Sequence, residues 1–353
     1  MKLCTIISYR EAIDTLNKLF HRSPETSIKL KTYMDFCTRT GNRLESNLNH
    51  HASMVLENAG FDPETGLPSE EPEQKYKETA GFQNESEIMS AIEKWNDSQT
   101  EPDRKLSFAE VPKFETAQDS VYISIDDIGV KHQKEHRNPE YQKSRVYVQN
   151  TVAVIETQQS THTLTNIGQR RTTSNILAYL IEHQMLSHKH LVFLTDGAKD
   201  IRHNIEEVYG FRKYMIILDW YHLKKRCQEY LSMSVKGGKE SRNQILRKLL
   251  QILWIGNVDQ AINYLKQLPD TFLRTINRIN DLCAYFEKNR ICIPCYALRK
   301  LLSLKISSNR VEKANDLAVA KRQKHLGMSW STIGSGALAQ IQVHFLNYSN
   351  FAT

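Results

Sequence analysis

Five residues stand where an acid or an imidazole can do chemistry. Asp126 closes the apolar run SVYISIDD, and Asp196 closes HLVFLT. Asp219 opens Asp-Trp-Tyr-His, which ends at His222, and Glu312 lies early in NRVEKANDL. Taken singly each is ordinary: an acid after a strand is commonly a turn or cap, and an acid early in a helix complements its dipole. Together they are less ordinary. Carboxylates brought to one point repel strongly, and become stable when they share divalent cations. Their hard oxygen ligands suit Mg²⁺ or Mn²⁺. Two such ions about 3.5–4 Å apart activate a water or a 3′-hydroxyl and stabilise the leaving oxygen of a phosphodiester. Asp126, Asp196 and Glu312 are therefore the expected ligands of two metal ions. His222 could meet the phosphate under attack or orient a catalytic group, or be a structural histidine bonded to Asp219. Asp219 is expected to support the site rather than bind metal.

Asp127 competes with Asp126. Strand alternation puts the two on opposite faces. Asp126 shares its face with Tyr122 and Ser124, and Asp127 shares one with Ile123 and Ile125. The reading favours Asp126, because a core-like face is a poor home for an open metal site. Asp127 stays the alternative.

The elements that must position these residues follow from periodicity. Strands are predicted over 120–127, 145–157, 161–166, 190–195 and 213–218, with helices over 172–187 and 199–208. The order β-β-β-α-β-α-β joins antiparallel hairpin pairing to parallel crossovers. It predicts an α/β fold, a mixed sheet of ribonuclease H-like order flanked by helices. Residues 221–305 give helical patterns throughout and read as an all-helical insertion. The chain returns to the catalytic core over 306–353. Before the core (116–220) lie a helical N-terminal region, 1–60, with a DNA-binding role open to it, and an acidic stretch, 61–115. That stretch reads as a linker with one short helix.

Charge is unevenly spread. Residues 57–105 carry 13 acids and 5 bases, whereas 221–330 carry 21 bases and 8 acids. Cations concentrated in one third of a chain are the footprint of a polyanionic partner. Arg310, Lys313, Lys321, Arg322 and Lys324 border or follow Glu312 on one predicted helix, 309–325, where 312, 316, 319 and 323 share a face. The cations pointing elsewhere can reach flanking phosphates or form a solvated face. Trp330 could stack on an unpaired base or pack against the core. The N-terminal apolar run is too short for a signal peptide, and no apolar stretch is long enough to span a membrane. Six cysteines without export signals point to reduced thiols in a cytoplasm.

These elements resemble the DDE transposases. The strand ending at Asp126, the TDGA turn with Asp196 and the late helix with Glu312 are similar to their acidic triad. Asp219-Trp220-Tyr221-His222 stands 23 residues after the second acid and resembles the "Cys or Asp, two residues, His" element of the Mutator-like superfamily. NRVEKANDLAVAKRQKHLGMSWSTIGSGAL resembles the C-terminal signature of related bacterial insertion-sequence transposases. The resemblance covers roughly 120–340. It implies metal-dependent cleavage at the terminal inverted repeats of an element, strand transfer into target double-stranded DNA, and a homodimer or larger assembly in a bacterial cytoplasm. An RNase H-like nuclease or resolvase that only cleaves, and a domesticated transposase that only binds DNA, are the alternative readings.

Overall fold

The computed structural model describes residues 2–133 and 146–349. Its centre is the strand that carries the first candidate acid. β1 (Ser120–Lys131) is buried from Ser120 to Ile125 and partly exposed from Asp126 to Gly129. Its β-branched and aromatic residues suit a strand covered on both faces. It runs four residues past the predicted end. β2 (Tyr147–Glu156) and β3 (Thr161–Ile167) pair antiparallel in series with β1, and β4 (His190–Thr195) and β5 (Met215–Leu218) pair parallel on its other side. Residue 145, the predicted start of the second strand, lies outside the described residues. The sheet order is β3-β2-β1-β4-β5, a mixed sheet flanked by helices.

Numbered along the chain, α1 (Lys2–Ile6), α2 (Tyr9–Leu19), α3 (Leu30–Asn58), α4 (Gln74–Lys77) and α5 (Glu85–Asp97) precede the sheet. The parallel connections need crossovers, supplied by α6 (Gln169–Glu182) between β3 and β4 and α7 (Lys199–Tyr209) between β4 and β5. Thr172 and Thr173 lie inside α6. Their hydroxyls donate back to the carbonyls of Gly168 and Gln169.

The two sheet faces bury different sets of helices. Val121, Ile123 and Ile125 of β1 pack with Ile176 and Leu180 of α6, Ile205 of α7 and Leu56 of α3. On the opposite face, Tyr122, Val192 and Leu194 meet the helical insertion through Leu223, Leu249 and Phe286. The insertion consists of α8 (Trp220–Ser234), α9 (Gly238–Trp254), α10 (Val258–Lys266), α11 (Asn277–Lys288) and α12 (Tyr296–Leu301).

The acidic stretch before the sheet carries more packing than its composition implies. Ile88 and Ile92 of α5, with Leu106 and Phe114, close a small core with Leu298 and Leu304. Beside it, Arg299 donates to both carboxylate oxygens of the fully buried Glu115, at 2.5 and 3.1 Å. Burying such a pair is costly unless both partners are satisfied.

Two C-terminal features differ from the sequence reading. The predicted single helix 309–325 is α13 (Asn309–Asn315) followed by π-helical turns over Asp316–Lys324. The wider turns alter the helix faces, so Ala318 and Arg322 are buried along with Val319 and Gln323, while Asp316 remains partly exposed. After them comes α14 (Thr332–Ser349), which periodicity did not reveal. It lies against α3 so closely that a Cβ on Gly41 would sit 2.2 Å from the carbonyl oxygen of Ala337. Among the described residues no helix is long and apolar enough to cross a membrane.

Candidate active site

The site forms partway along β1, beside the end of β4. Their parallel register pairs Ser120 with His190 and Ser124 with Leu194. Carried two residues further, the same register sets Asp126 beside Asp196. β4 ends in a tight turn: Gly197 has φ +87°, and Asp196 Oδ1 accepts from the Ala198 amide at 2.8 Å. A side chain at Gly197 would need a strained backbone and would crowd Leu218, whose Cδ1 lies 3.0 Å from the ideal Cβ position.

The neighbouring acids separate cleanly. Asp127 Oδ1 accepts from Thr151 Oγ1 at 2.6 Å, and its other oxygen accepts from the Gln169 amide of α6. Asp127 is thus tied to the α6 side of the sheet. Asp126 faces the α13 side. Its Oδ2 accepts from Asn315 Nδ2 at 2.6 Å and its Oδ1 from the Asp127 amide at 2.9 Å. Burial first, and then the charge of Asp196, push the Asp126 carboxyl up to about 6, while the Asp127 amide and His222 oppose the rise.

Asp219 ties the insertion to the returning chain. It is 1% exposed and caps α8. Oδ1 accepts from the His222 amide at 2.9 Å; Oδ2 accepts from the Ser308 amide and, at 2.9 Å, from Ser308 Oγ. Both oxygens are occupied, and the link fixes the residue just before α13 to the first turn of α8. The two helices bearing His222 and Glu312 are thereby brought together, and His222 Nε2 lies 3.1 Å from Glu312 Oε1. The imidazole therefore meets Glu312, while its backbone meets Asp219.

The structure brings Asp126 close enough to Asp196 and His222 for their charges to act on it, and His222 in turn holds Glu312. Among the described residues, however, no group of three His, Cys, Asp or Glu side chains is gathered so as to hold a metal ion. Glu312 is turned to His222 and is not drawn in as a third ligand. The donors present still suit a hard divalent cation: two carboxylates, of which Asp126 is raised first by burial and then by the charge of Asp196.

The predicted DNA-contacting residues divide. Lys313, Lys321 and Lys324 are exposed. Arg310 is exposed but engaged: its Nε lies 2.7 Å from Glu156 Oε1 and its Nη1 donates to Thr161 Oγ1 at 3.1 Å. Arg322 and Trp330 need correction. Arg322 is 2% exposed, donates to the Cys4 carbonyl at 3.0 Å, and lies over the rings of Tyr9 and Trp330. Trp330 is 5% exposed, and its indole N–H donates to the Gln323 carbonyl at 3.2 Å. Neither side chain is presented to a nucleic acid; they are the cation and the wall of an internal cation–π stack. The π-helical turns account for the miss, since regular α-helical turns would place residue 322 elsewhere.

Sequence reasoning also missed Asn315 and Ser308. Asn315 stands three residues after Glu312, on the same side of a helix, so its spacing was a usable signal. Ser308 had none, because its contact with Asp219 spans 89 residues.

No protein-family model matches the chain, and no curated protein matches it. Among solved structures it is similar to a Drosophila P element transposase strand transfer complex, at 9% identity over 78% of this chain and 71% of that one, with a TM-score of 0.24. A score this low establishes no common fold.

Proposed function

We propose that this chain is a transposase of DDE type with an RNase H-like core, cleaving phosphodiesters at element ends and joining the released 3′-hydroxyl to target DNA. The observation that carries the reading is Asp126 on β1 close enough to Asp196, just past the end of β4, for the one charge to act on the other, with a late helix that reaches Asp126 through Asn315 and carries Glu312, held by His222. Asp126 and Asp196 would hold divalent metal, Mg²⁺ or Mn²⁺, with Glu312 joining once released from His222. Two bound ions would supply a nucleophile at neutral pH and a counter-charge for the leaving oxygen.

The remaining roles fall to the protein's own side chains. Asn315 orients Asp126. The Asp219–Ser308 link holds α8 and α13 in register. His222, once parted from Glu312, has an N–H donor for a phosphate oxygen. Exposed Lys313, Lys321 and Lys324 offer sequence-independent phosphate contacts, weakened by salt. Double-stranded DNA is the partner, and two element ends call for at least a homodimer.

The test is cleavage of DNA carrying the element's flanking sequence, with and without Mg²⁺, by wild type and Asp196→Ala. Metal-dependent cleavage lost in the variant is expected; cleavage unchanged in Asp196→Ala refutes the site. Pre-cleaved ends offered with target DNA separate a transposase, which joins them, from a nuclease, which does not.

A further inference from the structure

Three of the chain's four tryptophans, Trp95, Trp220 and Trp254, line one cavity of about 320 Å³ between α5 and the insertion. They come from three separate elements. Trp220 and Trp254 meet edge to face with ring centroids 4.8 Å apart, and the Trp95 indole N–H is used up by the Arg104 carbonyl at 2.9 Å. What faces the cavity is therefore aromatic surface. The Gln251 side chain, at the cavity wall, makes no hydrogen bond among the described residues.

Charge lies immediately outside. Arg247 lines this cavity and also a neighbouring groove along α9 that contains Lys239 and Asn243. Residues 239, 243, 247 and 251 are spaced four apart, so they form one row on the helix. Over 12 residues the row extends roughly 18 Å. Arg247 and Lys239 have no carboxylate within ion-pair distance among the described residues, unlike Arg104, held by Glu101 at 2.9 Å, and Lys248, held by Asp103 at 3.3 Å. Glu240 is the one acid along the groove.

Two cations without an ion-pair partner among the described residues, Lys239 and Arg247, leading to a pocket of indoles suit a single strand: phosphates follow the charge, and a base stacks on the rings. An indifferent apolar ligand would gain nothing from Lys239 and Arg247, and an intact duplex keeps its bases stacked on one another and does not lay one on the indoles. We propose that this cavity is a binding site for a nucleotide unit of single-stranded DNA, its base among Trp95, Trp220 and Trp254 and its phosphates along Lys239 and Arg247. The choice of ligand leans on the DNA reading of the protein; the site itself does not involve the carboxylates.

Binding should be measured on the full chain in EDTA, and repeated with Asp196→Ala, so that absent cleavage and absent pocket binding are separate results. The probe is a short fluorescein-labelled oligoadenylate, read by anisotropy and by quenching of tryptophan fluorescence. AMP and a blunt duplex serve as the other arms. Arg247 is exposed, so Arg247→Glu leaves the fold intact, and Gln251→Phe plugs the cavity. Quenching by the single strand is expected, with Kd raised at least tenfold in both variants and the Asp196→Ala protein binding like wild type. Equal affinity in wild type, Arg247→Glu and Gln251→Phe overturns the proposal. A single strand that binds no tighter than AMP, or than the blunt duplex, overturns its assignment to a strand.

Discussion

Asn315 Nδ2 donates to Asp126 Oδ2 at 2.6 Å, joining the helix of the last candidate acid to the strand of the first across 189 residues. The contact fixes one oxygen of Asp126 and aims the carboxylate toward the α13 side of the sheet. Asn315→Ala should leave Asp126 free to rotate and lower the cleavage rate by ~10-fold or more, consistent with the cost of misplacing a reacting group. Asn315→Asp should be worse, since it faces a second carboxylate toward Asp126. Single-turnover cleavage compares the three proteins. A rate equal to wild type in Asn315→Asp would remove this residue from the site.

The raised Asp126 carboxyl has a consequence for stability. The folded state holds this proton more tightly than the unfolded chain does, so the penalty is absent at pH below the ordinary carboxylate range. It grows as pH rises, and is fully present above about 6. In EDTA, Asp126→Asn should therefore stabilise the protein by roughly 3 kcal/mol at neutral pH, from 1.36 kcal/mol per pH unit. The gain should vanish near pH ~4. Urea unfolding at the two pH values checks this; an equal gain at both would mean that the carboxyl is not raised.

Removing Asp219 strands several donors at once. The Ser308 amide and hydroxyl and the His222 amide all donate to it inside the protein. Asp219→Ala should cost about 2–4 kcal/mol, because each buried unsatisfied donor costs ~1–3 kcal/mol and some are recovered by water. Chemical denaturation measures the loss. Loss of cleavage is expected alongside it, since the register of α8 against α13 depends on this link.

Glu115→Ala should be among the most damaging single changes away from the site. It leaves the Arg299 guanidinium, itself 2% exposed, buried without its counter-charge, at a cost of about 3–5 kcal/mol. Replacing both residues with apolar ones of similar size should recover much of that. A thermal melt of the single and double variants tests it, and a double variant no more stable than the single one would contradict the argument.

Gly41→Val tests the unpredicted helix. Its side chain would run into the backbone of Ala337, and backbone cannot yield as a side chain can. Overpacking of this kind costs about 1–3 kcal/mol or more, so a lowered melting temperature is expected, with α14 displaced from α3.

The sequence by itself determined the strands, the crossover helices and the all-helical character of the insertion, because these depend on period-2 and period-3.6 burial that local composition records. It also put Asp126 and Asp127 on opposite faces, since alternation along a strand is a local property, while leaving Asp127 as the alternative ligand. Tertiary structure decided what depends on distant partners. α14 packs between α3 and β3, is buried from Ser335 to Ile341, and contains Gly334 and Gly336, so its sequence shows no clear apolar stripe. The π-helical turns that bury Arg322 are settled by packing against Tyr9 and Trp330, not by propensity. The Asp219–Ser308 and Asn315–Asp126 links join residues 89 and 189 positions apart, and the grouping of Trp95 with Trp220 and Trp254 crosses a whole sheet's length of chain. No local pattern encodes such meetings; they exist because the register of β1 on β4 and the return of the chain after the insertion bring the elements together.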